Sequence, residues 1–204
     1  MAGSIQAIKT YHVVNAGTFT TRNVELHHAN MPFLWAQQDT WKMGVPKIRF
    51  RTQSPTGPVI AGAKLPVFAR GVDVVLGDPE DKSLTWTAVE PDNSFTLSSY
   101  SFRGYGSGHL YTWKRTHNHA FGSSRLSGSD FKLVDPSNGD KVLAVYIKDS
   151  FMGGPNLGHI DYFVELGQDL ELQTIASILG IEERLRRRRR GNAAAGGGGA
   201  AAAC

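Results

Sequence analysis

Apolar and polar residues alternate along most of the chain in short runs. The runs are rich in β-branched and aromatic residues and are broken by Gly, Pro, Asn and Asp. A period of two marks half-buried strands. It predicts strands over residues 10–14, 19–28, 32–36, 47–52, 58–61, 65–68, 72–76, 84–89, 95–102, 110–117, 131–135, 142–148 and 160–166. Two hairpin turns are explicit. Asp135-Pro136-Ser137-Asn138-Gly139-Asp140 and Glu90-Pro91-Asp92-Asn93-Ser94 each join two apolar runs. Proline presets φ and Asn-Gly tolerates positive φ, so such segments reverse the chain. About a dozen short strands at this spacing predict a barrel or a sandwich.

Residues 168–185 break the period. They hold no proline and one glycine, Gly180, and they open with polar Gln168 and Asp169. Such residues favour a helix start. Leu170, Leu172, Ile175, Ala176, Ile178, Leu179 and Ile181 cover most of a helical circumference. A helix that is apolar nearly all round needs protein on every side. A sheet curled around it meets that need and a two-layer sandwich does not. The expected fold is therefore all-β, a closed or nearly closed barrel with a buried C-terminal helix.

Charge changes the picture at the end of that helix. The 204 residues include 22 Lys and Arg against 18 Asp and Glu, a net charge of +4. Arg184 and Arg186, Arg187, Arg188, Arg189 and Arg190 are six of the basic residues, leaving 16 elsewhere. The rest of the chain is thus slightly acidic, and its basic character sits at one place. Beyond the arginines come a run of glycines and alanines and the single cysteine, Cys204. The helix either persists into the arginines or is frayed there by like charges, and the Gly/Ala low complexity of 191–204 buries too little to offset ordering. One barrel domain over 1–185 and a basic, Gly/Ala-rich disordered tail over 186–204 are expected.

Globular composition, with 41% hydrophobic and 20% charged residues, excludes general disorder. No apolar run reaches the ~20 residues of a membrane-spanning helix. The start of the chain lacks a signal-peptide pattern and a myristoylation pattern, and the sequence has no N-glycosylation sequon. These features fit a cytoplasmic protein, peripheral at membranes, or a nuclear one. One thiol forms neither an internal disulfide nor a cysteine-based zinc site.

The stretch Phe131–Tyr146 reads as a strand, an Asp-Pro-x-x-Gly turn and a strand with a small residue, Ala144, at its middle. A further strand at 160–166 and the hydrophobic helix follow, and Leu110-Tyr111-Thr112-Trp113-Lys114 precedes. In this order the features resemble the tubby C-terminal-like superfamily, which includes tubby proteins, phospholipid scramblases and the plant LURP-one-related proteins. The resemblance spans roughly residues 10–185, with its specific features in 110–185. It implies a twelve-stranded barrel around a central C-terminal helix. Tubby's C-terminal end and the scramblases' cysteine-rich palmitoylation segment are absent, so the resemblance is to a divergent member. It also implies binding of phosphoinositide head groups through Lys and Arg on the barrel exterior.

Four constellations carry potential chemistry. On a strand, Lys47, Arg49 and Arg51 share one face, spaced for a phosphorylated lipid head group, or they form a solvated outer face. The arginine run attracts anionic lipid, nucleic acid or an import receptor, or simply keeps the tail in solution. No aromatic residue follows Phe163, so nothing in the run reads bases. His117-Asn118-His119 has metal-ligand spacing but no carboxylate close in sequence, which favours loop histidines over a metal site. Gly104-Tyr105-Gly106-Ser107-Gly108 lies between two strands, where a hairpin loop is expected instead of a nucleotide loop. Hydrolase and zinc-protease motifs are missing, and no cofactor is implied.

The leading expectation is a non-enzymatic peripheral module for anionic phospholipid or phosphoinositide head groups. A protein-interaction barrel without lipid affinity, and a scramblase-like or enzymatic protein, remain open.

Overall fold

The computed structural model describes residues 6–17, 23–38, 48–67, 69–93, 96–123, 128–149 and 155–196. Twelve strands follow in chain order: β1 (Lys9–Asn15), β2 (Val24–His28), β3 (Met31–Gln38), β4 (Ile48–Thr52), β5 (Val59–Lys64) and β6 (Val72–Leu76). They continue with β7 (Thr87–Pro91), β8 (Ser99–Arg103), β9 (Leu110–Arg115), β10 (Phe131–Asp135), β11 (Lys141–Lys148) and β12 (Asn156–Tyr162). One long helix, α1 (Gln168–Gly196), ends the described chain. Each strand pairs antiparallel with its sequence neighbours, and β12 returns to β1, so the barrel is closed. Closure removes the free sheet edges that would otherwise template aggregation.

Thirteen expected strands became twelve because 58–61 and 65–68 are one element and its flank. Within β5, Ala61, Gly62 and Ala63 are poor strand formers, yet they are required there. Ala61 and Ala63 face inward, and their small size lets α1 approach the wall, where a Cβ on Gly180 would stand 2.6 Å from Val72 Cγ1 and 3.6 Å from Ala63 Cβ; Gly62 faces outward, where a Cβ would stand 2.4 Å from Pro79 Cγ. Lys47, Phe68, Phe95 and residues 19–22 of the expected strands lie outside the described residues, as does Cys204.

Alternation decides what fills the barrel. Tyr11 and Val13, Val24 and Leu26, Leu34 and Ala36, Ile48 and Phe50 point inward and are buried. Phe131 and Leu133 do the same across the wall, beside Trp113. Between them runs α1, buried from Glu171 to Leu185 apart from Leu172 and Arg184. Several of its buried polar residues reach the wall, whereas Thr174 Oγ1 has no hydrogen-bond partner among the described residues. Trp113 donates its indole N–H to Ser177 Oγ at 2.8 Å, and the Ser177 hydroxyl donates to Thr174 O at 2.8 Å. Gln173 accepts from Tyr105 N at 2.8 Å and donates to Arg103 O at 2.9 Å, tying the 104–108 loop to the helix. Pairing of buried polar groups is what makes a mixed helix tolerable in the core.

The helix gives the barrel a direction. It enters at the mouth where β1 begins, with Glu171 against Lys9 and Tyr11. It leaves at the mouth bearing the β5–β6 loop, where Arg184 binds the Gly71 and Pro66 carbonyls.

Candidate anion-binding mouth

The boundary expected at residue 185 is not a helix end. α1 continues through all the arginines to Gly196. Two acidic residues just upstream explain this. Arg186 grips both carboxylate oxygens of Glu183 at 2.7 Å, and Arg187 Nε donates to the same group at 2.6 Å. Glu182 takes Lys148 from β11 and, at 3.2 Å, Arg189. Pairs at i+3 and i+4 stabilise a helix face as much as like charges weaken it. Burial acts to raise the Glu183 pKa, but hydrogen bonds from Arg186 and Arg187 outweigh it and hold the group below the ordinary glutamate value. Residues 188–193 are exposed, so the basic segment is a helical arm standing on the exit mouth. At 1.5 Å per residue, positions 188–196 add roughly 13 Å. Residues 197–204 of the expected disordered tail lie outside the described residues.

Beside the arm is a concavity of about 310 Å³ lined by Ala69, Arg70, Leu97, Arg184, Arg187 and Arg188. The fold orients two of its guanidinium groups. Arg184 uses Nε and Nη2 on the Gly71 and Pro66 carbonyls, at 2.7–3.2 Å. Arg187 uses Nε on Glu183. The other nitrogen edges of both stay available. Below this layer Tyr100 is fully buried, and its hydroxyl has no hydrogen-bond partner among the described residues. Burial pushes its pKa up to about 12, against the opposing pull of Arg115, Arg184 and Arg188. Burial likewise lowers the Arg184 pKa, with Tyr100 acting the other way. Val67, in the same loop as Arg70, is 78% exposed.

The strand cations sit elsewhere. Arg49 and Arg51 do share the outer face of β4, as alternation requires. Arg49 pairs with Glu80 at 2.7 Å, and Arg51 donates to Gly57 O at 2.8 Å, closing the β4–β5 turn. Lys47 lies outside the described residues. Neither arginine lines the exit-mouth pocket. Reading the sequence missed Arg70, a single basic residue in the β5–β6 loop, and Arg115, one at the end of β9. Only the antiparallel order brings them to the mouth where α1 emerges.

The remaining constellations resolve into loops. His117 and His119 are exposed after β9, with His119 in a short 3-10 turn. Among the described residues no three His, Cys, Asp or Glu side chains are placed to hold a metal ion. The 104–108 segment is a turn with positive φ at Gly106 and Gly108. At the entry mouth, a second cavity of about 330 Å³ lies between Phe33, Leu34, Ile60 and Leu172, over the Lys9–Glu171–Tyr11 group. Exposed Ile8 and Met31 stand on the same side of the barrel. Among the described residues no helix is long and apolar enough to cross a membrane.

No family model, curated protein or solved structure matches this chain.

Proposed function

We propose that the chain is a non-enzymatic module that associates peripherally with anionic membrane surfaces, phosphoinositide head groups among them, through the exit mouth. The observation that carries this reading is the helical arm. Arg188, Arg189 and Arg190 are exposed on a helix whose preceding turns are buried in the barrel. Each cation near an acidic leaflet contributes about 1 kcal/mol. A rigid arm presents several at once without the ordering cost of a flexible tail. Val67 supplies an apolar contact beside them. The barrel around an axial C-terminal helix agrees with what the tubby-like resemblance implies and supports placing the chain near that superfamily. The setting this reading requires is the cytoplasmic leaflet, where the acidic lipids are.

Co-sedimentation with phosphatidylserine-containing vesicles tests it. Binding at low salt that weakens steeply as salt rises is expected, because screening shortens the reach of exposed charges. No binding at low salt ends the proposal. The entry mouth favours a second reading, a protein-interaction barrel, because Ile8, Met31 and Phe33 are exposed there. That reading takes over if vesicles are ignored.

A further inference from the structure

The arginine-lined pocket has properties that the arm lacks. An exposed arm gives attraction without choice, since its side chains reorganise around any anion. In the pocket, Arg184 is fixed by two backbone carbonyls and Arg187 by Glu183, with Arg70 and Arg188 completing the lining. Oriented guanidinium edges match the tetrahedral oxygens of a phosphate, and charge-assisted bonds to it are about twice as strong as neutral ones. Leu97 and Ala69 add an apolar side for the group that carries the phosphate. A volume of about 310 Å³ holds a phosphate on a single ring, and it falls within the usual range for small-ligand sites.

We infer that the pocket bounded by Arg70, Arg184, Arg187 and Arg188 is a binding site for a phosphate monoester on a small ring or polyol. This rests on the reading of the exit mouth as an anion site and adds its choice of ligand. A monoester carries close to two charges at neutral pH and three terminal oxygens, whereas a diester carries one charge and two. A pocket with several oriented cations favours the first. The choice of head group thus comes from the mouth and not from the strand pair Arg49 and Arg51, whose donors serve Glu80 and a turn. The monoester can come from a lipid head group or from a soluble ester, and both present the same chemistry.

The test is calorimetric titration of the full chain with inositol 1-phosphate and with dimethyl phosphate, beside sedimentation with phosphatidylinositol 4-phosphate and with phosphatidylserine vesicles. The monoester should bind about tenfold or more tighter than the diester, and its affinity should fall below pH ~6 as it becomes a monoanion. Arg70→Gln and Arg188→Gln should each weaken it about tenfold. Both side chains are exposed, so folding is not at risk. Arg49→Gln should leave the monoester affinity unchanged. A large gain for the phosphoinositide vesicle over soluble inositol 1-phosphate marks a membrane source, and equal affinity marks a soluble one; both support the site. Equal affinity for monoester and diester, or monoester binding indifferent to both pocket substitutions, overturns it. If phosphatidylserine vesicles bind without any monoester preference, the pocket inference fails and the membrane reading stands. If the monoester binds while vesicles do not, the membrane reading fails alone.

Discussion

Alanine at position 180 sets two opposed terms against each other. In a solvated helix, Gly→Ala stabilises by about 1 kcal/mol, because glycine has the larger conformational entropy to lose. Here the new Cβ would stand 2.6 Å from Val72 Cγ1, with Ala63 Cβ at 3.6 Å. Carbon pairs settle at about 3.5–4.0 Å, so wall and helix must part by about 1 Å. Val72 is 1% exposed, β-branched and part of the sheet, and has little freedom to turn away. Overpacking of this kind costs about 1–3 kcal/mol, which outweighs the propensity gain. The expected net loss is about 1 kcal/mol, or about 2–4 °C in Tm for a domain of this size. Val72→Ala alone should cost about 2–3 kcal/mol by leaving a cavity. The double variant should lose less than the two singles together, by about 1 kcal/mol or more, since each change relieves the other. Urea unfolding of the three proteins gives the cycle. If Gly180→Ala raises stability by about 1 kcal/mol and adds independently to Val72→Ala, the helix does not sit against β5 and β6.

Ile175→Asp places a carboxylate at a fully buried position. It should cost several kcal/mol, comparable to total stability, and yield insoluble protein in expression trials. Ser177→Ala strands the buried Trp113 indole N–H and should cost about 1–3 kcal/mol in a denaturant titration. Glu183 has a lowered pKa in the fold, so its contribution is full above the unfolded value of about 4.3 and is lost as pH falls through the folded one. Stability from pH 7 to 3 should therefore decline below about pH 5, and Glu183→Gln should flatten that decline.

Sequence periodicity carried the architecture, because closure around a helix with apolar residues on nearly every side leaves few alternatives. It failed where small residues serve the helix. β5 looked broken because Ala63 is small for the close approach of α1 and Gly62 for that of Pro79 on the outer face, against strand propensity. β12 begins at Asn156, earlier than its apolar run, since Gly158 takes a φ of 151° and passes Cβ-free beside the Ile147 carbonyl. The chain after Tyr162 turns to feed the helix and so leaves the sheet. Of the candidate site, the arginine run was legible, and helix through it was one of two readings; that the helix runs on to Gly196 was not legible. Glu182 and Glu183, just before the run, pair with Arg186, Arg187 and Arg189 and offset part of its like-charge repulsion. Arg70 lies more than a hundred residues from the run, and no local pattern joins them.

Only one end of the barrel, the mouth bearing the arginine arm, should meet an anionic surface. Two single-cysteine proteins settle it, made on a Cys204→Ser background and labelled with an environment-sensitive fluorophore. Asn192→Cys puts the label on the exposed arm, and Met31→Cys puts it on the 70% exposed residue at the opposite mouth. Phosphatidylserine vesicles containing nitroxide-labelled lipid should quench the label at 192 at low salt and leave the label at 31 bright. High salt should abolish the difference. Quenching at 31 with none at 192 would show that the entry mouth is the membrane face and would contradict the account.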